Sequence, residues 1–199
     1  MKIDIKPKVT SEFEGYEYLI QIYRLAEASS DLIIELSFNY CTWFEANLAA
    51  VLGAIVELLN ESGKRVYIYH VNPRVALVMR KNGFLCGFGY EPAYDQHGTI
   101  LRYQQFTPKD DDDFSNYIKT ELLTKPDFPK HSKALGKKIS ESIFELYENA
   151  RTHGRCKKIH TCGQYYPQKR IPRLDVTIVD MGITIKKNVS TFLNKNCNG

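Results

Sequence analysis

Apolar side chains recur at helical spacing in residues 12–28, at Tyr16, Leu19, Ile20, Tyr23 and Leu25, and predict an amphipathic helix. Ser29, Ser30 and Asp31 break it. DLIIELSF, residues 31–38, is short, β-branched and bounded by turn formers, which predicts a strand. Residues 42–64 carry the most regular helical stripe: Phe44, Leu48, Val51, Leu52, Ile55 and Leu59. Thr42 is the expected N-cap of that helix, and residues 60–63 supply its stop. RVYIYHV follows as a second buried strand. Pro73 opens a short helix, because the N–H it lacks has no partner in a first turn, and Gly83 ends it. FLCGFGY then reads as a strand, with TILRYQQF as its hairpin partner after a turn over residues 95–98. This order predicts an α/β unit, a sheet with right-handed crossovers and helices packed on it.

PKDDDDF, residues 108–114, changes the pattern abruptly. Four adjacent aspartates repel one another and prefer water, so they are expected to link two domains, 1–107 and 108–199, and to end as the N-cap of a helix over FSNYIKTELL. Consecutive residues point in different directions, which disfavours a divalent-ion site here. A longer helix is predicted over 131–153, with Ile139, Ile143, Leu146, Tyr147 and Ala150 on one face and Gly154 as its stop. KIHTCGQYY and LDVTIVD read as two strands joined by the turn-rich PQKRIPR.

Composition narrows the classes. With 43% hydrophobic and 25% charged residues in 199, a packed core is available and global disorder is excluded. A net charge of +4 is too mild for a nucleic-acid binder, and the lysines at 133, 137 and 138 read as a solvated helix face. No apolar run has the length of a bilayer span and the first residues lack a secretion signal, so a cytoplasmic protein without membrane association is expected. Five scattered cysteines then predict free thiols. His153, Cys156, His160 and Cys162 are zinc-ligand types, but their spacing matches no common zinc pattern, and half-buried thiols near a strand are the expectation.

The candidate chemistry lies in ELYENARTH, residues 145–153. Glu145 and Asn149 fall one helical turn apart, His153 continues the row, and the apolar stripe lies on another face. An Asn oxygen suits a hard cation such as Mg²⁺, and a Glu one turn earlier could orient or deprotonate a nucleophile. Asp180 closes the last strand two residues before Gly182; its carboxylate can accept from an exocyclic amine while the glycine admits a ligand close to the backbone. Each half alone also fits a blander role, a solvated helix face or a simple turn.

In that order, ELYENARTHG resembles the N box and IVDMGITI the first glycine box of the GHKL ATPases, the group of histidine kinases, gyrase and heat-shock ATPase chaperones. The resemblance covers roughly residues 114–190. It implies a Bergerat-type ATP site: Asn149 on Mg²⁺, Glu145 as catalytic base, Asp180 on the adenine amino group, Gly182 beside the base and His153 near the phosphates. Thr184 stands where the family carries its second glycine and narrows the adenine pocket or hydrogen-bonds within it. The glycine-rich lid and last strands have no counterpart, so the sequence is expected to be a fragment or truncated product. Residues 31–84 resemble, in element order, a STAS domain, the fold of anti-sigma-factor antagonists. Glu45 or Ala46 stands where switchable members carry a phosphorylatable Ser, and Thr42, the only nearby hydroxyl, is read as a cap.

The resemblances together imply a STAS-like βαβαβ domain followed by the N-terminal part of a GHKL α/β sandwich. The expected function is nucleotide-dependent partner switching with ATP and Mg²⁺, with ATPase or serine kinase activity in the full-length form and a STAS or anti-sigma-type protein as partner. The alternative is a non-enzymatic interaction protein with a degenerate site. A histidine kinase reading requires a phosphoacceptor His on a dimerising helix, and His131 is too isolated to serve.

Overall fold

The structure is a computed structural model that describes residues 1–125, 128–153, 156–182 and Ser190, with the backbone alone at His153. The first half builds a parallel sheet from β1 (Lys2–Asp4), β3 (Ile33–Ser37) and β5 (Arg65–Tyr69), in the order β1-β3-β5. Two short strands, β2 (Lys8–Val9) and β4 (Trp43–Phe44), pair parallel beside it. The crossovers are α1 (Phe13–Ala28) and α2 (Ala49–Glu61). Stepping one strand per crossover keeps both helices on one face. Ile34, Leu36 and Ile68 accordingly point inward and are buried, while Ile33, Arg65 and Tyr67 on the other face are exposed.

The second half builds an antiparallel sheet, β6 (Ile100–Phe106), β7 (Ile159–Tyr166) and β8 (Arg173–Asp180), in that order. One face carries α4 (Asp111–Ile118) and α5 (Lys133–His153), around a core of Phe106, Phe114, Tyr117, Tyr147 and Ile159. The Phe114 and Tyr147 rings stack at 4.4 Å between centroids. The other face lies against α2, which touches β5 as well as β6, β7 and β8. Burial nearly all round explains why α2 is rich in alanine, leucine and glycine: Ala49, Ala50, Leu52, Gly53, Ala54, Ile55 and Leu59 are all buried. A register irregularity between Leu101 and Gln104 moves β6 by one residue. It turns Leu101 toward the α4–α5 core and Tyr103 toward the α2 core.

Most of the periodic segments fold as their patterns dictate, and the departures have local causes. Thr42 does not cap α2. Its hydroxyl donates to the Pro7 carbonyl at 3.2 Å, Trp43 and Phe44 are taken into β4, and the helix starts through a 3-10 turn at Ala46–Leu48. FLCGFGY is not a strand. Gly83 and Gly89 both adopt left-handed backbone (φ 83° and 84°), and the Asn82 side chain accepts from the Phe84 N–H at 2.9 Å, which winds Phe84–Phe88 into a 3-10 turn. The partner of β6 is therefore β7, from the far side of the acidic run. α3 (Pro73–Lys81) has its proline in the first turn and Asn72 as its cap.

The acidic run is mostly helix. Asp111, Asp112 and Asp113 form the first turn of α4, where their charge suits the dipole, and the Asp110 carboxylate accepts from the Thr107 N–H at 2.6 Å. The boundary expected at 107/108 is spanned by the antiparallel sheet, since β6 precedes it and β7 and β8 follow. Leu146 leaves the expected apolar face of α5 and is 56% exposed. Gly154, expected to stop α5, lies outside the described residues.

Candidate functional site

The C-terminal end of β8 approaches α5 beside a cavity of about 620 Å³. Leu146 and Ala150 line it from α5, and Ile178, Asp180 and Met181 from the strand end. α1 and α2 supply the opposite wall, with Tyr16 and Ile55 among its residues. Among the described residues β8 is the edge strand of its sheet, and its residues 176–180 line this cavity. The Asp180 carboxylate accepts the Gly182 N–H at 3.0 Å, which fixes the D-x-G turn with the aspartate exposed at the rim.

Asp180 and Met181 thus share a cavity with Leu146 and Ala150. Glu145 and Asn149, each one residue earlier on α5, are exposed and are not part of the cavity wall. The helix wheel explains the offset: a position one residue earlier is turned by about 100°. The side chain of His153, and Thr184 entirely, lie outside the described residues.

Of the cysteine and histidine cluster, Cys156, His160 and Cys162 are buried in separate contacts. The Cys156 thiol donates to the Ala150 carbonyl at 3.4 Å, and the Cys162 thiol to the Ala46 carbonyl at 3.1 Å. Among the described residues no group of three or more His, Cys, Asp or Glu is placed to hold a metal ion. Burial pushes the Cys162 thiol up to about 12 and the Cys41 thiol up to about 11, which keeps both protonated and inert. The lysines at 133, 137 and 138 form an exposed helix face, with Lys137 paired to Glu141 at 3.6 Å. Among the described residues no helix is long and apolar enough to cross a membrane.

Two polar constellations were not visible in the sequence. Glu45 is buried and accepts from the Ser11 N–H at 2.6 Å, from the Ser11 hydroxyl and from Arg173 at 3.1 Å. Desolvation works to raise this carboxyl, but the Ser11 and Arg173 donors outweigh it and hold it below its ordinary value. The second constellation is Glu57, Tyr103 and His160. The Tyr103 hydroxyl lies 2.9 Å from His160 Nδ1, and Glu57 Oε2 lies 3.3 Å from His160 Nε2. Each draws on three elements distant in sequence, so no spacing rule could have found it.

No protein-family model, curated protein or solved structure matches this chain.

Proposed function

We propose that the protein is an ATP-binding regulatory protein, with a GHKL-like nucleotide site in its second half and a STAS-like parallel-sheet unit in its first, acting in the cytoplasm. The observation that supports this reading is the shared cavity: the helix bearing E-x-x-x-N and the strand end bearing D-x-G wall one space large enough for a purine nucleoside. In it, Asp180 would accept from the adenine amine, with Gly182 beside the base. Asn149, exposed one residue before the cavity-lining Ala150, would hold Mg²⁺ and through it the phosphates, with His153 near them and Thr184 narrowing the adenine pocket or hydrogen-bonding within it. Magnesium would neutralise charge on the phosphates. Glu145, one turn before Asn149, would orient the attacking water or hydroxyl and take its proton. Nucleotide would then change affinity for a protein partner, a STAS or anti-sigma-type protein, through differential binding of the two states.

Calorimetric titration of the chain with Mg–ATP tests this. The expected result is saturable binding that weakens at least about tenfold in Asn149→Ala and in Asp180→Asn. Binding that both variants leave unchanged, or no heat at millimolar nucleotide, overturns it. A second reading, a non-enzymatic interaction protein with a degenerate site, is favoured by the exposure of Glu145 and Asn149 outside the cavity wall. Binding without hydrolysis, identical in Glu145→Gln, supports a non-catalytic role for that residue.

A further inference from the structure

A second cavity, of about 570 Å³, opens on the other flank of α2, between that helix, the Phe84–Phe88 turn, β6 and the segment leading into β7. Its interior wall is aromatic: Phe84, Phe88 and Tyr103, with the Phe84 and Tyr103 rings edge to face at 5.2 Å. Its mouth is ionic. Lys158 Nζ lies 3.0 Å from Glu57 Oε1, and Lys157 Nζ lies 3.3 Å from Glu61 Oε1. All four of these side chains line the cavity, so its charges alternate in sign and sum to zero.

Behind the ionic mouth stands a buried relay. Gln105 Nε2 donates to the Tyr103 hydroxyl at 2.9 Å, and the same hydroxyl lies 2.9 Å from His160 Nδ1. His160 Nε2, on the other side of the ring, faces Glu57 Oε2 at 3.3 Å. His160 is fully buried, and among the described residues its Nε2 is not aligned for a hydrogen bond with an acceptor. Gly53, one turn before Glu57, leaves the space that the Tyr103 phenol occupies: a Cβ there would lie 2.3 Å from the hydroxyl oxygen. The helix therefore gives up a side chain to seat the phenol and, one turn on, contributes the Glu57 carboxylate to the cavity.

We propose that this cavity binds a small zwitterion with an aromatic body, of the aromatic amino acid class. The ligand's ring would lie against Phe88 and Tyr103, its ammonium would take Glu57, and its carboxylate would take Lys158. A ligand of single charge would free one member of an ion pair and strand the other, whereas a zwitterion satisfies both, which is why the alternating mouth selects it. Two lysines precede β7 and two glutamates stand on α2, so an occupant bridges segments on both sides of the acidic run.

The test uses the intact chain and L-phenylalanine, followed by amide chemical-shift changes in ¹H–¹⁵N spectra. Saturable changes are expected at residues 53–61, 84–88, 103–105 and 157–160. Phenethylamine, which lacks the carboxylate, and phenylacetate, which lacks the ammonium, should each bind at least about tenfold more weakly, the loss of one charge-assisted contact. Phe88→Ala, at a half-exposed wall position, should weaken L-phenylalanine by a similar factor while leaving the remaining spectrum in place. No saturable change up to about 10 mM, a level at which even very weak sites fill, overturns the proposal. So do changes centred elsewhere, or analogues that bind as well as the amino acid.

Discussion

Gly53→Ala is a substitution whose sign separates local from tertiary control. Alanine in the middle of an exposed helix is worth about 1 kcal/mol over glycine, so helix propensity alone predicts stabilisation. Here the new Cβ would lie 2.3 Å from the Tyr103 hydroxyl oxygen and 2.7 Å from Cζ, distances that real contacts do not reach. The phenol must move. Overpacking costs about 1–3 kcal/mol, and leaving the buried His160 Nδ1 without its 2.9 Å partner costs about 1–3 kcal/mol more. Tyr103 lines a cavity into which it can swing, so the lower half of each range applies. About 1.5 kcal/mol from each, less the gain of about 1 in propensity, leaves a net loss of about 2 kcal/mol. Urea unfolding followed by far-ultraviolet circular dichroism measures it. In a Tyr103→Leu background the side chain no longer reaches Gly53, and the same substitution should stabilise by about 1 kcal/mol. The two backgrounds then differ by about 3 kcal/mol with opposite sign. Stabilisation by Gly53→Ala in the unaltered chain would refute the reasoning.

Three further outcomes follow from the buried polar groups. Tyr147→Phe removes a 2.7 Å hydrogen bond from the hydroxyl to the Thr107 carbonyl and should cost about 1 kcal/mol, whereas Tyr147→Ala also empties the space stacked on Phe114 and should cost about 3–5 kcal/mol by the same unfolding assay. The Glu45 carboxyl is held below its ordinary 4.5, so its contribution is complete above that value and is lost as pH falls through the lower folded value; Glu45→Gln should flatten the acid limb of stability between about pH 5 and 3, and an unchanged limb would sink the assignment. Burial pushes the His160 imidazole below its ordinary 6.5, so the unfolded chain takes up its proton first and stability falls as pH drops below 6.5; His160→Gln should remove that slope, measured by urea midpoints at pH 7.5 and about 5.5.

The sequence carried the elements whose signal is local. α1, α3 and the β7–β8 hairpin are where periodicity, Pro73 and the turn-rich PQKRIPR put them. What it did not carry was pairing across distance. Residues 84–90 alternate aromatics as a strand would, but two left-handed glycines decide their conformation, and the sheet partner of β6 is found more than fifty positions on. At the candidate site, D-x-G at a strand end and the α5 helix were both legible; the cavity beside them is lined from α5 by Leu146 and Ala150, not by the Glu145 and Asn149 that the sequence pointed to. The outward turn of Glu145 and Asn149 was not, because the burial of α5 is set by Ile143, Tyr147 and Ala150 against a sheet whose order no single segment encodes. Leu146 shows the same limit: it is apolar and in phase, yet it flanks the packed face and borders the cavity.

The strand that precedes the acidic run must wait for its neighbour. During synthesis β6 emerges well before Ile159 exists, and until the ribosome has added α4 and α5 its Ile100, Leu101 and Phe106 have no sheet to join. Closing so long a loop is entropically slow. The parallel-sheet unit can condense first, but α2 then presents the flank that should meet β7 to solvent. A nascent chain stalled in this interval carries an unpaired strand and an uncovered helix together, the combination that invites chaperone capture or clumping. Cutting the gene at the aspartates would make that interval permanent in the upstream product.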